Sequence, residues 1–169
     1  MAHVQVELAD LARAVIGRLL KARGLDDVAK AVMAPAIYTY RTIEGPFLYA
    51  VDDFERHYAE GIEFMFDRLH LTAAVFKQAD DIAEVMRDVV QDDTARPLTL
   101  GVLLACISYL MHICMRLIKA DGKVEAAYVE QMISTLVVPS AADWAKICGD
   151  MLELEAAAHP HYVHSGSYM

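Results

Sequence analysis

The chain has 169 residues, a hydrophobic fraction of 56% and a formal net charge of −9. That length suffices for one domain that withdraws roughly two-thirds of its surface from water. The scarcity of glycine (8) and proline (5) excludes fibrous and low-complexity classes. The acidic balance excludes a nucleic-acid surface, which needs clustered Lys and Arg, and suits a partner that presents basic groups.

Apolar residues recur at intervals of three and four, the period of a helix. Val4, Leu8, Leu11, Val15 and Leu19 mark a first helix that stops near Gly24. Asp26 and Asp27 then favour the start of a short helix over Val28 to Ala34, closed by Pro35. Residues 36–46 read as a connector, with Gly45-Pro46 as a turn. The segment IYTY (37–40) has strand character but no second strand to pair with.

From Phe47 the stripe resumes through Val51, Phe54, Tyr58, Ile62, Met65, Phe66 and Leu69, as one long helix or two bent near Gly61. Thr72 is placed to cap a helix over 73–90, with Ile82 and Met86 on its apolar side. Asp93 or Thr94 caps the next helix, with Pro97 in its first turn, where proline is tolerated. Residues 97–115 then run without a charged side chain. Asp121-Gly122 makes a tight turn, and Val124, Tyr128, Met132 and Leu136 mark a helix over 123–138 that forms a hairpin with 98–119. Ser140 caps a last helix carrying Trp144, Ile147 and Leu152. The pattern predicts an all-α domain over 1–158, about seven or eight helices around a central apolar hairpin, and a polar tail over 159–169.

A nineteen-residue uncharged run is long enough to span a bilayer. It contains Thr99, Ser108, Tyr109 and His112, however, and its neighbours carry apolar stripes that need something to cover. A helix apolar on nearly every face is what they would cover, so the run reads as a central buried helix and not as a constitutive span. Cys106, Cys114 and Cys148 have no paired spacing and read as reduced structural thiols. The first ten residues lack the basic start and apolar core of a signal peptide, and the last residues carry no anchor, which predicts a cytoplasmic chain.

Sequence signals for chemistry are weak. His159, His161 and His164 lie in the polar tail without carboxylate or thiol support, so no metal site is expected. Asp80-Asp81 and Asp92-Asp93 read as caps or solvated charges at helix ends. No nucleophile elbow, phosphate loop or dinucleotide fingerprint is present, so neither an enzyme nor a cofactor is expected.

Several segments resemble the Bcl-2 family in the right order. The stretch FERHYAEGIEFMFDRLHLT (54–72) resembles the family segment that follows the third homology motif and ends in L-H-I-T. Leu48, four residues before Asp52-Asp53, resembles that motif's L-x-x-x-G-D core, with Asp52 in place of glycine. EVMRDVV (84–90) resembles the family's E-L-F-R-D-G-V, and ADWAKICGDMLEL (142–154) resembles the second homology region, with Trp144 as its tryptophan. The signature N-W-G-R is missing. Its nearest match is Asp93-Thr94-Ala95-Arg96, where only the arginine survives.

The resemblance implies a Bcl-2-like bundle of seven to eight helices and a divergent, viral-type pro-survival homologue. It implies a protein that sequesters BH3 helices of Bim-type pro-apoptotic partners in a hydrophobic groove and thereby blocks cell death. It implies action in the cytoplasm and, through partners, at the mitochondrial outer membrane. Tyr58, Ile62, Met65 and Leu69 would line one wall, Val85 and Met86 the other, and Leu100 would contribute from the floor. Arg96, or failing that Arg87, would pair with the ligand's aspartate. An open groove also favours a homodimer. Two other roles keep the same fold: modulation of inflammatory signalling through the outer faces, and membrane permeabilisation by 97–118 as a pro-death relative.

Overall fold

The structure, a computed structural model, describes residues 2–32, 43–76 and 100–134, together with Lys146, Ile147, Gly149, Asp150, Glu153 and Ala156, which are helical. Among the described residues there are five helices, one additional single turn and no strand, so the chain is all-α. They are α1 (Ala2–Ala22), α2 (Asp26–Val32), α3 (Glu44–Arg68), the single turn α4 (Ala73–Phe76), α5 (Leu100–Asp121) and α6 (Ala126–Met132). The count of seven or eight is not reached among them.

Local chemistry explains most boundaries. α1 ends where the sequence puts a stop. Gly24 adopts φ +80°, its N–H donates to the Lys21 carbonyl, and the Leu25 N–H donates to the Leu20 carbonyl. This is a Schellman motif. α3 ends in the same way without a glycine. His70 takes the left-handed position at φ 56°, its N–H donates to the Asp67 carbonyl and the Leu71 N–H to the Phe66 carbonyl. Leu71 is buried and anchors the exit. The segment Leu69-His70-Leu71-Thr72 is thus a helix stop, and α4 begins directly after it.

Gly45-Pro46 is not a turn. Both residues lie in the first turn of α3, which starts at Glu44. The first four N–H groups of a helix have no intrahelical acceptor, so a proline at the third position forfeits nothing. α3 also runs through Gly61 without a break.

α5 is the axis of the molecule. Six consecutive residues, Leu103 to Ser108, are buried. Six residues exceed one full turn of 3.6, so every face of the helix is covered there. α5 is long and apolar enough to cross a membrane, with mean hydropathy 1.8 over its most apolar window, and 56% of that window is buried inside the chain. α3 lies across it, α1 touches both, and α2 packs on α1. The buried side chains form one cluster that draws Leu11, Ile16 and Leu20 from α1, Phe47 and Phe66 from α3, and Leu103 and Ile107 from α5. Each such side chain contributes about 1.5–3 kcal/mol when withdrawn from water.

Of the expected hairpin of 98–119 with 123–138, residues 98–99 and 135–138 lie outside the described residues. Gly122, at φ +79°, closes α5 by donating its N–H to the Ile118 carbonyl. α6 then packs on α2, with its Tyr128 near Cys114 of α5. It is tied to α1 by Arg13, whose Nε donates to Glu130 Oε2 at 2.9 Å while Nη1 donates to Asp10 at 3.0 Å. Cys106 and Cys114 are buried as reduced thiols. Burial pushes Cys114 up to about 12, which suits a thiol that serves packing.

Candidate functional site

The sequence places its candidate residues on α3, and helical geometry decides how they are arranged. At about 100° per residue, Phe54, Tyr58, Met65 and Leu69 fall within roughly 60° of arc. Ile62 and Phe66 follow on the side that meets α5. The structure keeps that order. Ile62 and Phe66 are buried, Phe54 and Met65 are half-buried against the core, and Tyr58 and Leu69 are 56% and 48% exposed. The rings of Phe54 and Tyr58 pack at 4.6 Å between centroids. α3 therefore carries an uncovered apolar flank beside its buried stripe.

Of the residues expected to bind a helix, Tyr58, Met65 and Leu69 share this flank. Ile62 belongs to the core beneath it, and Leu100 is half-buried against the core at the start of α5. Val85, Met86, Arg87 and Arg96 lie outside the described residues, and so do Trp144 and the histidines of the tail.

The opposite flank of α3 is polar, and sequence reasoning missed it. His112 projects from α5 between two glutamates of α3. Its Nδ1 lies 2.6 Å from Glu63 Oε1, and its Nε2 lies 3.1 Å from both carboxylate oxygens of Glu55. One turn further along α5, Arg116 donates to Glu63 Oε2 through Nε at 3.0 Å and through Nη2. Nη2 also donates to Asp67 at 2.9 Å, and Nη1 reaches the Leu71 carbonyl at 3.4 Å. The guanidinium stacks 5.2 Å from the Phe66 centroid, and the His112 ring meets that phenyl edge-on at 6.4 Å. The only signal in the sequence was a lone histidine in an otherwise uncharged run, four residues before an arginine. Its partners stand 49 and 57 residues away.

These contacts set protonation. Burial opposes charge on His112, and the hydrogen bonds to Glu55 and Glu63 more than reverse it, so its ionisation lies above the ordinary histidine value. Burial works against Glu55 and Glu63 as well, yet His112, joined by Arg116 at Glu63, holds both below the ordinary carboxylate value. A cleft of about 610 Å³ opens beside this cluster, lined by Glu63, Asp67, Ala73, Met115, Arg116 and Lys119 among others. Among the described residues it is lined by none of the groove residues read from the sequence. Among the described residues no group of three or more His, Cys, Asp or Glu side chains is placed to hold a metal.

Comparison of the chain with protein-family models, with curated proteins and with solved structures finds no match.

Proposed function

We propose that this chain is a helix-binding protein of the Bcl-2 type. In this reading an amphipathic BH3 helix from a pro-apoptotic partner docks along the apolar flank of α3, and its sequestration suppresses cell death. One observation carries the reading. Tyr58 and Leu69 stand about half exposed on the same side of α3 as half-buried Phe54 and Met65, spanning four turns of helix. A strip of that length and spacing matches the i, i+3/i+4 anchors of a guest helix. The all-helical build around an apolar central helix is compatible with it, and the Bcl-2-like segments in the sequence give the partner its class. Tyrosine and methionine suit a surface that is wet when empty and dry when filled.

Covering the exposed halves of Tyr58 and Leu69 is worth roughly 1–1.5 kcal/mol each. Calorimetric titration with Bim-type BH3 peptides tests the proposal. Saturable binding is expected, with Tyr58→Ala and Leu69→Ala each weakening it about tenfold at little cost to thermal stability, since both side chains are solvent-facing. A folded protein that gives no heat with any BH3 peptide overturns the reading.

A further inference from the structure

The His112 cluster has a stereochemical requirement that the helix-binding role does not use. An ionised carboxylate only accepts hydrogen bonds. Both ring nitrogens of His112 face carboxylate oxygens, at 2.6 Å and 3.1 Å. Both must therefore carry hydrogen, and an imidazole with two N–H groups is the cation. The neutral ring has one N–H, so it satisfies one glutamate and turns a lone pair toward the other.

Which contact fails is decided by the surroundings. Glu63 keeps the Arg116 cation, while the Glu55 side chain is only 19% exposed, with both carboxylate oxygens 3.1 Å from Nε2 of His112 and, beyond that, the neutral Ser108 hydroxyl as a hydrogen-bonding neighbour. Among the described residues, the charged groups around the ring are as follows. α3 supplies Glu55, Glu63 and Asp67, and α5 supplies Arg116. Arg23, just past the end of α1, acts on Glu55 through space. Three carboxylates thus oppose two guanidiniums, and the imidazolium brings the cluster to neutrality. The Tyr109 phenol, three residues before His112, is pushed up by burial and stays neutral through the physiological range.

We infer that His112 is a proton-operated latch between α3 and α5: protonated, it clamps Glu55 and Glu63 to the central helix, and deprotonated, it releases Glu55. Glu55 sits between Phe54 and Tyr58, so the released segment is the one that carries the start of the apolar flank. The latch is a property of the free protein and stands or falls independently of any guest helix.

The sign follows from linkage. A histidine that ionises above its unfolded value adds stability that is complete below about pH 6.5 and fades as pH rises through the folded value. The test is a titration of the free, full-length chain by long-range nitrogen–proton NMR of the imidazoles, paired with thermal unfolding from about pH 6 to pH 9. His112 is expected to stay doubly protonated above the ordinary histidine value of about 6.5. The melting temperature of the wild type is expected to fall by a few degrees relative to His112→Gln as pH rises. Where His112→Gln does not fold, Glu55→Gln serves instead, and the His112 titration is expected to drop by about one pH unit. A His112 that titrates at or below the ordinary histidine value, melting curves for wild type and His112→Gln that run parallel in pH, or a His112 titration unmoved by Glu55→Gln each overturn the latch.

Discussion

At the scale of single residues, Phe66 does the most joining. It is fully buried, packs against Tyr109 at 5.8 Å between centroids, meets His112 edge-on and lies under the Arg116 guanidinium. It is the apolar floor on which the polar cluster rests, so its removal leaves a cavity and also unseats two cationic side chains. Phe66→Ala is expected to lower the unfolding free energy by about 3–5 kcal/mol, measured by urea denaturation. Tyr58, two turns earlier on the apolar flank, is expected to be nearly silent in the same experiment. The contrast between them separates what holds α3 in place from what α3 offers to solvent.

At the scale of elements, the two Schellman stops make a matched pair. Gly24 occupies the left-handed position without strain. His70 occupies the same position with a Cβ, which costs roughly 1–2 kcal/mol, against about 0.4–1 kcal/mol that a non-glycine residue recovers by stiffening the unfolded chain. Gly24→Ala is therefore expected to destabilise by about 0.5–1 kcal/mol, and His70→Gly to stabilise by a similar amount. Thermal unfolding of the two variants checks both signs.

The same elements show what a sequence discloses. The end of α1 was legible because a stripe at helical spacing ran into a glycine. The burial of α5 was legible because the run holds Ser108, Tyr109 and His112 and its neighbours carry apolar stripes that need something to cover. Gly45-Pro46 misled because the residues that make a turn are also acceptable in the first turn of a helix, and only the chain that follows decides. The packing of α6 on α2 was not legible: its stripe is the same whichever helix it meets. At the site, Tyr58, Met65 and Leu69 shared a side by periodicity alone, whereas the His112 cluster depends on which helix crosses α5 and at what height.

At the scale of the whole molecule, α3 and α5 are held together by groups that titrate in opposite senses. Glu55 and Glu63 ionise below their ordinary value, so the stability they add is present above about pH 4.5 and is lost as pH falls through their lowered values. His112 acts in the opposite sense as pH rises. The urea midpoint is expected to decline from mildly acidic pH toward stronger acid. Relative to Glu55→Gln and Glu63→Gln, the wild type is expected to decline more steeply on that limb. Equal slopes for the three proteins would mean that the clamp contributes nothing to acid stability.

The covering of α5 on every side has a consequence for biosynthesis. Over residues 103–108 no orientation of this helix satisfies water, so that stretch is open to mispairing when it leaves the ribosome. The largest contacts of the helix come from residues that precede it in the chain, chiefly α3, then α4, with α1 behind. The cradle is translated before its occupant, and the vulnerable interval lasts only as long as the newly made segment takes to find the seat already waiting for it.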